Sequence, residues 1–395
     1  MVFEISHQLS ENDRNQVIHL LASSFPVDYK KGLEQFEFFI ERYPEKCYLI
    51  ARDKDELIIG IICLLKRKMN YNGLSLDVSG CSYMAVHHEH QNFSVSAELR
   101  ELMFSFQAAN SDISLGFARR AMDNYWYQFG FTGFTNFGTV LVEISRLPSG
   151  NKLVVRDLEK NDIPIVASLY EQTYTNTLDA LFRTNDMWHY LVDKLAGNQQ
   201  KIETIRNSEG EIVGYFFRLH NTIEELCIDQ SYFRDVACLI RSIILENEPD
   251  TKELNLNIGI NHPFSKYIRI RLPHSVKTRF AWNGGHIIRI NTLVSFFKKI
   301  TPVLEDRLLL ADIGTFDFKL QDVLFSFDKQ NLHIEVPEMT VASENRQRHF
   351  WQKLVFGVQD VADLIENKQT ENSVFIITRI MFPLKNPQVP LVDQF

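Results

Sequence analysis

A strand that passes directly into a helix is the feature that most constrains how this chain folds. Met84–Val86 is apolar and predicts a buried strand, and after a short polar stretch the run Ala97–Met103 predicts a helix. A tight turn between them leaves the first N–H groups of the helix without intrahelical partners, so an anionic phosphate can accept hydrogen bonds there. The pattern therefore predicts an α/β fold with a phosphate-bearing ligand at the start of this helix.

Composition narrows the class of protein. Apolar residues make up 45% of the chain and charged residues 23%, as in an ordinary soluble globular protein, and 395 residues predict two or three domains. The net charge of −8 argues against a nucleic-acid partner and mildly favours cationic small molecules. The longest apolar stretches, such as Leu57–Leu65, have the length of a strand and are too short to span a membrane.

The cysteines and the start of the chain indicate where the protein works. Five cysteines without a C-x-x-C pair predict neither a disulfide framework nor a zinc site. The opening residues Met1–Ile5 have no basic stretch followed by an apolar run, so no secretory signal is predicted. We therefore expect a cytosolic protein.

The pattern of elements divides the chain into three parts. Strands and helices alternate through the first third, and the turn-rich Leu147–Gly150 marks a boundary. The second third restarts the same theme with a strand at Leu153–Arg156. The last third has strands first and helices afterwards, which predicts an α+β domain. The predicted domains are residues 1–148, 149–285 and 286–395.

The sequence Met84–Ala97 resembles motif A of the GNAT superfamily of N-acetyltransferases, a V-x-V strand and turn followed by Q/R-x-x-G-x-G/A. Val86 and Gln91 fit this pattern, whereas Ser94 and Ser96 stand where glycine or alanine is usual. No such motif precedes the helix predicted at Tyr232–Leu245, so the second part is not expected to hold a pyrophosphate.

The whole chain resembles the enhanced-intracellular-survival (Eis) type of acetyltransferase. Four segments carry this resemblance: Met84–Ala97, Tyr125–Phe131, Ile288–Asn291, and the tail from Phe382-Pro383 to Asp393-Gln394-Phe395. It implies an α/β plus α+β fold class, with tandem GNAT folds followed by a domain similar to a sterol carrier protein. It also implies a homo-oligomer, with a hexamer as the family's assembly.

The resemblance implies that acetyl-CoA is the co-substrate and that an amine-bearing small molecule or peptide is acetylated. Serines add a Cβ to the phosphate loop but also bring hydroxyl donors, so we expect weakened rather than abolished binding. The implied cofactor-binding residues are Met84, Ala85, Val86, Gln91, Asn92, Phe93, Ser94, Val95, Ser96, Ala97, Ala121 and Met122.

The resemblance also implies the catalytic groups. The general base is the α-carboxylate of Phe395, and the family's acidic tyrosine falls on Trp126, an indole that cannot supply a useful proton. Tyr125 and Tyr127 flank that position, each rotated by about 100° on a helix. A CoA thiolate, similar to a cysteine thiolate of pKa about 8.5, can leave without full protonation, so slow transfer survives.

Alternatives stay open beside this interpretation. The chain could be a catalytically weak or inactive CoA-binding member of the family, or a carrier of an apolar ligand through its last domain. His87–His90 predicts a solvated turn and no metal site, because adjacent residues rarely share one metal. Asp393 and Glu37 could line an acidic pocket, although isolated surface carboxylates are the commoner outcome.

Overall fold

The first part of the chain forms a mixed sheet with helices on both faces. The computed structural model describes residues 1–25, 29–91, 93–118, 123–133, 137–150, 152–197, 200–279, 285–357, 361–364, 372–383 and 393. Its first elements are β1 (Val2–Ser6), α1 (Glu11–Ser24), α2 (Tyr29–Arg42), β2 (Lys46–Arg52), β3 (Ile58–Tyr71), β4 (Leu74–Val86), α3 (Phe93–Asn110), β5 (Ile113–Ala118), α4 (Asp123–Tyr127) and β6 (Thr132–Gly133).

Local chemistry explains these elements. The Ser10 hydroxyl caps α1 by accepting the N–H of Asp13 at 3.1 Å. Both faces of β3 from Ile58 to Leu65 are buried because α1 and α2 cover one face and α3 the other, so the strand reads as a continuous apolar run. The structure extends this strand to Tyr71, beyond the predicted end at Leu65, and β4 begins ten residues before Met84.

The middle of the chain forms a second sheet. Its elements are β7 (Phe137–Glu143), β8 (Val154–Asp157), α5 (Ile163–Tyr170), α6 (Asn176–Leu178), α7 (Asn185–Gly197), β9 (Ile202–Arg206), β10 (Ile212–Leu219), β11 (Thr222–Ile228), α8 (Phe233–Asn247), β12 (Glu253–Leu256), α9 (Pro263–Arg271), β13 (Ser275–Arg279) and β14 (Gly285–Ile290). Each sheet has seven strands among the described residues, in the orders β1-β2-β3-β4-β5-β14-β6 and β8-β9-β10-β11-β12-β7-β13.

Two strands cross between the sheets, which differs from the predicted domain boundaries. β7 lies within residues 1–148 but pairs with β12 and β13 in the second sheet. β14 comes at the 285/286 boundary but pairs with β5 and β6 in the first. Strand pairing is a long-range interaction that local turn signals do not report, so the boundary at Leu147–Gly150 follows a turn and not a change of sheet.

The last part is a small antiparallel sheet packed with helices. It contains α10 (Leu293–Leu310), β15 (Phe316–Leu320), β16 (Val323–Phe327), β17 (Leu332–Glu335), α11 (Val341–Val355), α12 (Val361–Leu364) and α13 (Asn372–Met381). α10 lies where the sequence predicted no helix, before the strands. Its core joins residues of the first sheet, such as Val78 and Ile288, so the first and last parts share one apolar interior.

A second shared core joins the two large sheets. It combines α1, α2 and the adjoining face of β3 with residues of α5, α7 and β10, including Tyr170, Trp188 and Tyr215. Within the described ranges, no helix has both the length and the apolarity needed to cross a bilayer. The first sheet therefore has one face turned toward the second sheet and the last domain, and α3 on its other face.

Candidate active site

The strands β4 and β5 run side by side and then diverge. Their parallel pairing runs from Val78 opposite Ile113 to Cys81 opposite Gly116 and continues no further in the described segments 29–91 and 93–118. Against β3, Met84 lies opposite Ile62 and Cys81 opposite Leu64, so β4 carries one extra residue there. Such a bulge bends a strand and increases its twist. The end of β4 is therefore splayed away from β5.

The backbone of this splayed end has a defined direction. The N–H of His87 donates to the carbonyl of Ile59 at 2.8 Å, so residues 87 and 85 face β3. Because hydrogen bonding alternates along an antiparallel strand, the N–H and C=O groups of Met84 and Val86 point the other way, toward the gap beside β5. The Gln91 side chain donates to the carbonyl of Val86 at 3.4 Å from that side.

α3 begins at the same end of the sheet. A single helical turn, His88–His90, follows β4, and the His87 imidazole caps it by accepting the Glu89 N–H at 3.4 Å. α3 then starts at Phe93 and has no acidic residue in its first turn. Val95 and Leu99 are buried against β3, where a Cβ on Gly60 would lie 2.8 Å from Leu99 Cδ1. The missing side chain of Gly60 thus lets α3 approach the sheet closely.

The predicted cofactor-binding residues that the structure describes lie at the end of β4, at the start of α3, or between the two. Met84 and Val86 present backbone groups to the gap, whereas Ala85 faces β3 through its backbone and is buried in the core shared with the second sheet. Ser94 is exposed, and Ser96 and Ala97 are half-buried on α3. The predictions at Asn92, Ala121 and Met122, for the Phe93 side chain, and for Phe395 as the general base, lie outside the described residues.

The three aromatic residues of α4 have three different surroundings. Trp126 packs against the cluster that contains Val86 and Met84, so it lies on the α3 side of the splayed strand. The Tyr125 hydroxyl accepts a hydrogen bond from Arg100 of α3 at 2.9 Å. Tyr127 points away, because its ring stacks at 3.7 Å on the ring of His349 in the last domain.

The remaining predicted features near this end are a histidine turn and an acidic–aromatic face. His87, Glu89 and His90 each have a ligand atom within 4.8 Å of the others, and the absence of a metal site there stays a prediction. On α2, Phe36 and Phe39 pack around Tyr83 with ring centroids 4.8 and 4.9 Å away, so these rings are buried in the core.

The second sheet repeats the splay but fills it. Its last parallel pair is Ile223 opposite Leu256, which corresponds to Cys81 opposite Gly116, and Leu226 occupies the register position of Met84. The Leu226 N–H donates to the Tyr174 hydroxyl at 3.2 Å, and its carbonyl lies 2.8 Å from His262 Nε2. The side chains of Tyr174 and His262 therefore bind the backbone groups of Leu226. The equivalent groups of Met84 in the first sheet face the gap.

His262 is locked in one tautomer by its neighbours. Its Nδ1 accepts the Phe264 N–H at 3.1 Å, so Nε2 carries the hydrogen that Leu226 accepts. Burial lowers the pKa of His262 to about 3, which keeps the ring neutral. The plug in the second sheet is therefore an uncharged hydrogen-bonded contact.

A buried group of charges lies between the two sheets, and the sequence did not predict it. Asp393 is 1% exposed, and its carboxylate pairs with Arg183 at 2.6 Å and with Arg67 at 3.0 Å. The expectation of an isolated surface carboxylate is therefore wrong for Asp393, because guanidinium groups from distant parts of the chain surround it. Glu37, in contrast, is at the surface and pairs with Arg14 at 2.6 Å.

Electrostatics maintain the charges in that buried group. Burial alone would raise the pKa of Asp393, but the positive charges and hydrogen bonds of Arg183 and Arg67 outweigh it and hold that pKa below its usual value. Burial likewise opposes the charge on Arg183, whose pKa is nevertheless raised by Asp393 and Glu225. The group is thus a set of ionised side chains. No local sequence signal brings residues 67, 183 and 393 together.

Comparison with known proteins identifies the first part of the chain. Residues 6–133 match the family model described as an acetyltransferase (GNAT) domain. The chain contains a GNAT acetyltransferase domain. Such a domain catalyses acyl transfer from acetyl-CoA or another acyl-CoA. A search of curated proteins finds no match.

Solved structures show the same fold over the whole chain. A probable N-acyltransferase from Enterococcus faecalis V583 superimposes with a TM-score of 0.69 at 13% identity, covering 100% of both chains. A GCN5-related N-acetyltransferase from Anabaena variabilis ATCC 29413 gives 0.67 at 12% identity, again over 100% of both. Eis1 from Mycobacterium abscessus gives 0.60 at 12% identity, covering 99% of this chain and 100% of Eis1. At 12–13% identity, the likeness to these structures shows the fold alone.

Proposed function

We propose that the protein is an acetyl-CoA-dependent N-acetyltransferase of the Eis type, in which an amine attacks the thioester directly. One observation carries the proposal. β4 separates from β5 after Cys81, and the polar backbone groups of Met84 and Val86 face the gap. The amide groups of a pantetheine arm can pair with a strand edge of this kind, with the Gln91 side chain giving up its 3.4 Å hydrogen bond to the Val86 carbonyl.

The start of α3 supplies a site for the diphosphate. Its first turn lies at the same end of the sheet as the splayed strand and has no acidic residue, and the helix dipole favours an anion there. Ser94 and Ser96 can add hydroxyl donors, although their Cβ atoms keep the phosphates further from the backbone than glycine would. We therefore propose binding that is weaker than a glycine loop would give.

In the proposed reaction, the substrate amine transfers its proton to the α-carboxylate of Phe395. In the proposed reaction the amine nitrogen forms a bond to the thioester carbon, the C–S bond breaks, and the α-carboxylate of Phe395 accepts the amine proton. An unperturbed α-carboxyl has a pKa of about 3.5, so this base needs burial to be effective. CoA departs as a thiolate near Trp126, whose indole does not protonate it.

The wider architecture of the proposal follows the resemblance. We propose that the two seven-stranded sheets are tandem GNAT folds, supported by the matching strand orders and by the equivalent splays after Cys81 and Ile223. We propose further that the last domain is similar to a sterol carrier protein and that the protein forms a homo-oligomer. The filled gap at Leu226 supports our proposal that the donor site lies in the first sheet.

The last domain gives little support to the apolar-ligand carrier. Its interior contains aromatic rings in mutual contact: the Phe297 ring lies 4.9 Å from that of Trp351, and the Phe325 ring lies 5.7 Å from the same indole. Rings packed in this way occupy the space that a carrier would leave for its ligand. A catalytically weak or inactive CoA-binding protein is the remaining alternative.

Calorimetric titration with acetyl-CoA tests the donor site, and turnover with a panel of amines separates the enzyme from an inactive binder. No heat and no thermal stabilisation at saturating acetyl-CoA would count against both. Adding one glycine after Phe395 moves the carboxylate but keeps the phenyl ring, whereas Phe395→Ala removes the ring and keeps the carboxylate. If the carboxylate is the base, the added glycine lowers kcat and leaves acetyl-CoA affinity unchanged. An unaltered kcat would refute that assignment.

A further inference from the structure

The most completely buried ionic group in the described part of the chain holds the tail. Arg183 donates to Asp393 through Nε at 3.0 Å and Nη2 at 2.6 Å, and Arg67 donates to the other carboxylate oxygen at 3.0 Å. The Arg183 and Asp393 side chains have no exposed surface. Burying charges is costly unless their geometry and hydrogen bonds compensate, so this group defines one position for Asp393.

Residues of the second domain hold Arg183 in the orientation of this contact. Glu225 accepts two hydrogen bonds from the Arg183 guanidinium, at 2.8 and 2.6 Å, and the Tyr215 hydroxyl donates to Glu225 at 2.6 Å. The guanidinium also lies over the rings of Tyr170 and Trp188, at 3.9 and 4.7 Å. A planar guanidinium held on one edge and stacked on its faces offers its remaining N–H groups in a fixed direction.

Glu225 lies on β11 at the register position that Tyr83 has on β4. It directly precedes Leu226 on β11, as Tyr83 precedes Met84 on β4, so it lies beside the splay of the second sheet on the side facing the first. The gap itself is filled by Tyr174 and His262. The second sheet thus has a closed donor gap and, next to it, an arginine directed at a carboxylate of the tail.

Arg67 connects the Asp393 contact to β4 of the first sheet. Arg67 lies opposite Val78, and Cys81, the last residue paired with β5, is about 10 Å further along β4. Two residues beyond Asp393 can extend by about 7 Å. This length of extended chain covers most of the roughly 10 Å between the Arg67–Val78 pair and the point where β4 and β5 diverge.

We propose that the second domain is a receptor for the C-terminal tail, in which Arg183, held by Glu225, binds Asp393 and so positions the residues that follow it beside the acetyl-transfer site of the first domain. Asp393 and Arg183 are positioning residues. The proposal rests on the proposed function for its catalytic consequence, whereas the receptor contact can be measured without turnover.

Hydrogen exchange of the tail in the full chain tests the receptor directly. Asp393→Asn removes the charge and leaves two guanidinium groups facing a neutral amide, so we expect tail amides to exchange roughly a hundredfold faster, as for one lost partner of a buried ion pair. Asp13→Asn is the matched control, because it breaks the 2.8 Å pair with Arg52 away from the tail and leaves tail exchange unchanged. Equal tail exchange in wild type and Asp393→Asn would overturn the proposal.

A second, more conservative variant keeps the test informative if Asp393→Asn does not fold. Arg67→Lys keeps the charge but loses the planar guanidinium, so we expect a smaller increase in tail exchange, about tenfold. Circular dichroism and thermal unfolding report whether each variant is folded. If Asp393→Asn does not fold, unchanged tail exchange in Arg67→Lys overturns the proposal.

Kinetics then separate positioning from simple stability. We expect Asp393→Asn to lower kcat at least tenfold, with acetyl-CoA affinity and the KM for the amine nearly unchanged, and Asp393→Glu to restore part of kcat. An unchanged kcat in a variant with a released tail would overturn the positioning role. Failure of wild-type protein to bind acetyl-CoA refutes the proposed function, while slow tail exchange would still support the receptor.

Discussion

The N–H of Met84 gives a sharp test of the donor site. This group faces the gap beside β5, whereas the neighbouring Ala85 faces β3 in the register Ile61–Ala85. Proline at residue 84 removes the N–H without removing a hydrogen bond of the β3–β4 ladder. A net hydrogen bond contributes about 0.5–1.5 kcal/mol, so Met84→Pro should weaken acetyl-CoA binding about 2–12-fold.

Two further variants at this strand isolate the effect. Met84→Ala shortens the side chain but keeps the N–H, so the ratio of its dissociation constant to that of Met84→Pro reports the backbone group alone. Ala85→Pro removes a ladder hydrogen bond instead and should lower the free energy of unfolding. Calorimetry gives the dissociation constants, and urea unfolding gives the stabilities. Equal acetyl-CoA affinity in folded Met84→Ala and Met84→Pro would refute the assignment of this edge to pantetheine.

Three further outcomes are expected. Trp126→Tyr supplies an acid near the splayed strand and should raise kcat up to about 10²-fold in a turnover assay, and an unchanged kcat would argue that the thiolate leaves unaided. Ser96→Gly should tighten acetyl-CoA binding several-fold by calorimetry, because it removes the Cβ from the phosphate loop, and unchanged or weaker binding would contradict this reasoning. Burial lowers the pKa of His262 to about 3, below its unfolded value of about 6.5, so acid favours unfolding between these values. His262→Gln should flatten the pH dependence of the unfolding free energy near pH 5 by about 1.4 kcal/mol per pH unit, measured in urea; an unchanged slope would contradict the buried neutral ring.

Local patterns predicted the elements that carry the donor site. The apolar residues before His87 and the helix after it were found because strands and helices impose different periodicities on neighbouring residues. The first ten residues of β4, Leu74–Tyr83, were missed, since their alternation includes glycine, serine and aspartate. α10 was also missed, although its buried face has helical spacing.

The filled gap of the second sheet was not predicted. The missing glycine motif before Tyr232 predicts that no pyrophosphate binds there, and this stays a prediction. Tyr174 and His262 bind the backbone of Leu226, from positions about 50 residues before it and 36 residues after it. Contacts at such separations depend on the packing of whole elements and leave no local sequence pattern.

The sequence by itself determined the alternation of strands and helices, the turn from strand to helix after Val86, and the serines at residues 94 and 96, because these depend on residues close together in the chain. Only the tertiary structure decided which sheet receives β7 and β14, where the strands splay, and that Asp393 lies between Arg67 and Arg183. An aspartate has the same side chain whether it is buried or at the surface. What distinguishes them is the set of charges that folding brings within hydrogen-bonding distance.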